Sequence, residues 1–535
     1  MRWFSLSFGL AGLCMVGCIE GPPDCASEGT CSSNGGSAGT AGTAGTGGTS
    51  GSGGTGGTAG NGGTAGDGGS AGTGATGGAG GIGGTGGTGP ICDGSSLPGD
   101  DDCVIDDEYG VFVSPSGDDG TGDGTKANPY ATVGKGLTEA KSSGKRLYAC
   151  ADGGSYDETV ALSSANAGVS AWGSFKCSDW TYDNSLKAKV APTTEGYALT
   201  ADSVNTATLL DGFEFEALSA TQAGGSSIAA FVKTSNALTL SNVKLVAGDG
   251  MKGTDGNRTQ WTLPTITELK GNDATSNAGA AEKDYVCPST THTVGGGGGN
   301  GGASPSAGAP GLPALGGGQA GQPGTITCDS VGVGGIGGAG ADGASGSPGA
   351  GANTLGTLDA SGWTPTSGLP GTAGKDGQGG GGGRGGNPGG GGSGGAGACG
   401  GDFGAAGSGG GSSIALLLVN SPITLTNVSG SLGNGGDGGA GQDGQPRAAA
   451  VGGQAGQPYN LGTGCPGGRG GAGGNGGPGG GGAGGLSVGV LHLGNAPTTT
   501  NTTFTLGSAG AAGPGGSGGN AGVVGLSEQV HQQTN

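Results

Sequence analysis

Glycine at every third position is the feature that most restricts what this chain can fold into. Over 36–87 each third residue is Gly, with one exception at Ala75, and the same period returns over 334–349, 368–395, 468–480 and 510–525. An α-helix is excluded there, because each Gly costs about 1 kcal/mol relative to Ala in a helix interior. Period three is also the collagen signature, but collagen chains hold their extended form with roughly 15–20% Pro. No Pro occurs in the 36–87 run before Pro90. Two forms remain for this first run. One is a flexible tether, with ends on the order of 40 Å apart. The other is an extended polyglycine II helix of up to roughly 160 Å. Ile82 is the one large apolar residue in the run, which favours the tether. With 147 Gly in 535 residues and only 11% charged residues, much of the chain cannot build an ordinary core. Its apolar residues are clustered, and the clusters are long enough for one folded body.

The N-terminus reads as an export signal. Arg2 is a positive start, and Trp3 to Val16 form an apolar stretch too short to span a membrane stably. Met15-Val16-Gly17-Cys18 resembles a lipobox, with Met where Leu is usual. The resemblance implies cleavage before Cys18 and acylation of that residue, so that acyl chains hold the protein on a bilayer. A plain secretory signal is the alternative. Ten further cysteines follow: Cys25, Cys31, Cys92, Cys103, Cys150, Cys177, Cys287, Cys328, Cys399 and Cys465. An even number in an exported chain implies disulfides, and neighbour pairing (25–31, 92–103, 150–177, 287–328, 399–465) is the simplest arrangement. No C-x-x-C spacing points to a structural metal, so no metal site and no cofactor are expected. Net charge is −20, and no Lys or Arg occurs between Arg2 and Lys126. Nucleic acid and anionic membrane surfaces are therefore poor partners for the acidic stalk. The expected membrane contact is the lipid at Cys18.

At Tyr109 the composition changes. Tyr109 to Val113 reads as a strand, and Thr132 can cap a helix whose Val133, Leu137 and Ala140 share a face. Arg146 to Ala151 and Thr159 to Leu162 follow as strands. Val113-Ser114-Pro115-Ser116-Gly117, Gly124-Thr125, Pro129, Thr132 and Gly154-Ser155-Tyr156-Asp157-Glu158-Thr159-Val160 together resemble the entry segment of right-handed parallel β-helix proteins of the pectin-lyase-like superfamily. Gly136 stands where that family usually has Ala. The resemblance implies an all-β solenoid whose first coil is capped by the helix. It implies fold and leaves function open.

Further strands are expected over 169–175 and 209–217, with Phe213 and Phe215 on one side and Glu214 and Glu216 on the other. A unit of strand, Asn-centred turn, strand and Gly-rich exit then recurs from Ser226, Ser412 and Leu486, which reads as one solenoid coil written three times. Gly-rich inserts separate these coils. Because they leave from and return to coils and several are bracketed by Cys, they are expected to pack as a bundle of polyglycine II helices, with disordered loops as the alternative. They resemble glycine-rich repeats of the PGRS type in bacterial surface proteins. The chain thus divides into a signal peptide (1–17), a glycine-rich stalk (18–90), an acidic Cys-bearing collar (91–108), the first part of the β-helix (109–293), an insert (294–411), a coil (412–429), a second insert (430–485), and a last coil with its glycine-rich run and tail (486–535).

Catalytic patterns are weak. G-x-S-x-G occurs five times through composition alone, never between a strand and a helix. His292, His492 and His531 are far apart and pair with no nucleophile. Polysaccharide lyases on this fold hold calcium with acidic residues and abstract a proton with Arg or Lys. The nearest equivalents are Asp211, Glu214, Glu216 and Arg258 beside Asp255. No catalytic residues are expected. The role expected instead is structural or adhesive at the cell surface, outer membrane included, with polysaccharide or matrix as a contact. A carbohydrate-active enzyme and a calcium-binding collar around Asp100 to Glu108 are the alternatives.

Overall fold

The computed structural model describes residues 92–324, 327–460 and 463–534. The signal, Cys18, Cys25, Cys31 and the 36–87 run lie outside the described residues. The described chain is nearly all β. One α-helix, Val133–Ser143, accompanies three large sheets in which every neighbouring pair of strands is parallel. The first sheet runs Gly110–Val113, Arg146–Cys150, Ser170–Phe175, Thr208–Asp211, Leu238–Ser241, Thr424–Thr426, Thr498–Thr500. The second runs Val160–Leu162, Leu199–Asp202, Ser227–Lys233, Ser413–Val419, Ser487–Leu493, Ser527–Gln532. The third runs Ser155–Tyr156, Ala188–Val190, Phe213–Ala217, Lys244–Ala247, Ser429–Leu432, Thr503–Thr505. Along the chain, strands enter the first, third and second sheets in fixed rotation.

Side chains alternate across a strand, so each turn of the rotation sends one apolar row inward. Leu210, Leu240 and Leu425 pair in register and are buried, as are Phe215 with Leu245 and Val232 with Leu418. Burial of each Leu contributes about 1.5–3 kcal/mol. The expected strand over 209–217 is two strands, broken at Gly212, whose φ of +73° turns the chain from the first sheet to the third. Later turns make the same corner with Asn242, Asn427 and Asn501, all left-handed, the conformation that Asn tolerates better than most residues. The three copies of the recurring unit lie side by side: Ser227, Ser413 and Ser487 are register partners in the second sheet.

The helix starts where the sequence places it. Thr132 Oγ1 accepts from the Lys135 N–H, and the Glu158 carboxylate accepts from Val133 and Gly134 at 2.6 and 3.0 Å. Gly136 is a necessity of packing: a Cβ there would stand 2.4 Å from Val113 Cγ1 and 2.5 Å from Leu147 Cδ1.

The long connections all leave at one corner, from the third sheet to the second: 248–412, 433–486 and 506–526. The first departs after Ala247, earlier than the expected boundary at 294. These segments are bonded at every third residue. Gly371, Gly374, Gly377, Gly380 and Gly383 donate to carbonyls of Gly404, Gly401, Ala398, Gly395 and Gly392. Thr372, Lys375, Gln378 and Gly381 donate to Ser347, Ala344, Ala341 and Gly338, while Gly379 and Gly382 donate to Leu312 and Ala309. Successive N–H groups therefore reach three different neighbours, which satisfies backbone that is buried. Asp and Asn side chains bridge the connections: Asp249 to Asn434 N, Asn434 to Ser508 N, Asp255 to Ala440 N, Asp437 to Ala511 N.

Four disulfides join Cys92–Cys103, Cys150–Cys177, Cys287–Cys399 and Cys328–Cys465. The last two replace the neighbour pairs 287–328 and 399–465. The reason is the turn at 386–389, where Gly386 donates to Gly389 and the chain reverses, carrying Cys399 back beside Cys287.

Candidate functional site

The outer face of the first sheet builds a site by register alone. Phe112, Tyr148, Trp172, Asp211, Ser241, Thr426 and Thr500 are successive partners across it. The collar covers the first half of this row. Val104 and Ile105 pack on Phe112, Tyr148 and Trp180, and Tyr148 Oη donates to Val104 O at 2.8 Å. Arg146 ties the collar down by donating to the carbonyls of Ser96 and Gly94. Where the collar ends, a groove of about 730 Å³ opens, lined among others by Asp100, Trp172, Tyr182, Asp211, Asn242 and Asn427.

Polar groups converge on it. Trp172 is buried, and its indole Nε1 has no hydrogen-bond partner. Asp211 is buried, and that burial raises its carboxyl above the ordinary range against the opposing pull of Ser241 and Lys187. Burial likewise lowers the Lys187 ammonium, whose Nζ donates to Asn242 O and Oδ1 at 2.8 and 2.6 Å. The corner asparagines continue the polar edge, Asn501 Nδ2 donating to Asn427 Oδ1 at 3.1 Å. Ring faces beside carboxylates and amides suit a ligand with an apolar face and a hydroxyl edge.

Of the residues singled out in the sequence, Asp211 and the collar's Asp100 line this groove. Glu214 and Glu216 sit on the third sheet and pair with Lys244 and Lys189 at 3.2 and 2.5 Å. Arg258 is not paired with Asp255. It binds the buried Asp402 at 3.0 Å and lies over the Phe403 ring, while Asp255 pairs with Lys252. The lyase-like set is thus dispersed. His292 and His531 pair with Asp284 and Glu528, and His492 is buried against Gly494 O. In the collar, Asp101, Asp106 and Asp107 accept from backbone N–H groups of Cys103, Glu108 and Lys126. One group of metal-ligating side chains gathers among the described residues: Cys287, Asp376 and Cys399. Its two sulfurs are bonded to each other, and Asp376 accepts from Ser289 and Gly400.

Sequence reasoning missed Trp172 and Tyr182. The available signal was local: in a chain with 4% aromatics, residues 172–182 hold Trp172, Phe175, Trp180 and Tyr182. No protein-family model, curated protein or solved structure matches this chain. Among the described residues, no helix is long and apolar enough to cross a membrane.

Proposed function

We propose that this chain is an exported surface protein, lipid-anchored at Cys18, whose body is a right-handed parallel β-helix carrying a bundle of polyglycine II-type segments, and that it binds polysaccharide of the cell surface or matrix without turning it over. The observation that carries the binding role is the groove in which Trp172 and Tyr182 face Asp100, Asp211, Asn242 and Asn427. The fixed rotation of strands through three parallel sheets supports the solenoid. Hydrogen bonds that reach three neighbours with period three support the glycine helices. Four disulfides fit an oxidising compartment.

Retention of the whole chain on immobilised polysaccharides tests this reading. Tyr182→Ala combined with Asp211→Asn is expected to weaken retention at least tenfold, a loss of about 1.4 kcal/mol. Unchanged retention would remove the groove from the account. Appearance of unsaturated sugar products would show turnover and favour a carbohydrate-active enzyme. Acyl labelling of native cells, compared with Cys18→Ser, tests the anchor: label that persists in the variant refutes it.

A further inference from the structure

A second site lies in the glycine-rich region, far in sequence from the groove. Arg384 is only 3% exposed. Its Nη1 donates to Gly385 O at 2.8 Å and to Thr463 O at 3.3 Å. Its Nε and Nη2 are buried with no hydrogen-bond partner, and no carboxylate pairs with it among the described residues. A buried cation without a counter-charge is strongly disfavoured. The sequence around the site supplies little remedy. Across 300–330, 377–395 and 457–468 the only acid is Asp329. Asp329 is turned to hydroxyls instead, accepting from Thr327 and Ser330.

The guanidinium also borders a cavity of about 360 Å³, lined with it by Pro305, Pro323, Asn387 and Thr463. Nε and Nη2 form one edge of the guanidinium fork. Such a pair of parallel donors matches the two oxygens of a carboxylate. Gly335 packs against this edge, and a Cβ there would stand 2.4 Å from Nε and 2.7 Å from Cys465 Sγ. The edge is shielded from water, so the guanidinium must turn toward the cavity to present it, and a ligand gripped there is largely desolvated.

We propose that Arg384 and its cavity bind a compact monocarboxylate, the two prolines packing its carbon skeleton and the free guanidinium edge holding its oxygens. A free acid and the C-terminal carboxylate of a peptide share this chemistry.

The test uses the whole disulfide-bonded chain at fixed ionic strength, titrated with lactate, lactamide, sulfate, and acetyl-Pro-Gly with a free or amidated C-terminus. Lactate is expected to raise Tm with the logarithm of its concentration once that exceeds Kd, and lactamide to leave it unchanged. Arg384→Gln is expected to weaken lactate binding at least tenfold, whereas Asp211→Asn in the groove leaves it intact. If the free-acid peptide binds more tightly than lactate, the source is a peptide terminus; if lactate binds more tightly, it is a small acid. A readout in the unmutated chain covers the case in which Arg384→Gln does not fold: with ¹⁵N-labelled arginine, one buried Nε–H signal should move on lactate titration and stay in place with lactamide. Absence of a response to lactate, an equal response to sulfate or lactamide, or binding that survives Arg384→Gln would overturn the proposal.

Discussion

At the scale of single residues, this protein is governed by where a Cβ is forbidden. A Cβ at Gly474 would stand 2.0 Å from Ala344 O, and one at Gly374 would stand 2.2 Å from Gly474 O. Gly474→Ala must therefore separate two hydrogen-bonded segments, with an expected loss of about 1–3 kcal/mol. Ser345→Ala, an exposed position one residue from that contact, should stay within about 0.5 kcal/mol of the parent. Denaturant unfolding of the two variants measures the difference. Equal stabilities would mean that the segments are not in close contact. The period of three was legible in the sequence, but the identity of each partner segment was not, because glycine carries no side chain whose size or charge could mark its neighbour. Gly136 shows the same limit. Its departure from the expected Ala was visible, and its reason, the contact with Val113 and Leu147, exists only once helix and sheet are packed.

At the scale of elements, alternation made most strands readable. Phe213–Ala217 buries Phe213 and Phe215 and leaves Glu214 and Glu216 half-buried. Ser413–Val419 does not alternate because both its faces are covered. Its outer face packs Ile414 and Leu417 against Leu358 and Trp363 of the hairpin Gly356–Asp359/Gly362–Pro365, a hairpin that the glycine-rich insert gave little reason to expect. The cysteine pairs were legible where the two partners bracket a short segment, as with Cys92–Cys103. They were not legible where a reversal far along the chain decides which segments meet. That difference has an energetic counterpart. Cys287 and Cys399 close a separation of 112 residues, and Cys92 and Cys103 one of 11. Loop-closure entropy then gives roughly 5 kcal/mol to the first and about 3 kcal/mol to the second. The double variant Cys287→Ser/Cys399→Ser should unfold at lower urea than Cys92→Ser/Cys103→Ser. The opposite order would mean that the collar's packing on Phe112 and Tyr148 outweighs chain entropy.

At the scale of the whole described body, sheets and glycine-rich connections are one hydrogen-bonded system. The connections leave and re-enter at a single corner, and their carboxylates clamp one another's backbones: Asp255 on Ala440 N, Asp273 on Gln457 N. In both, the backbone hydrogen bond is the first cause of a carboxyl held below its ordinary range, with Lys252 and Lys270 adding to it. A carboxyl lowered in the folded state contributes stability above its unfolded pKa and loses it as pH falls through the folded value. Heat unfolding of the body should therefore be a single transition, with Tm falling as pH drops below the usual carboxylate range. Asp255→Asn with Asp273→Asn keeps an acceptor for each backbone N–H and removes the charge, so the double variant should show a shallower fall of Tm with acid. Two separate transitions at neutral pH would mean that the glycine segments melt independently of the sheets. An unchanged acid slope would place the pH response elsewhere in the chain. The single-transition outcome would instead make the glycine bundle a structural part of the body, with the anchoring corner, the clamping aspartates and the core rows failing together.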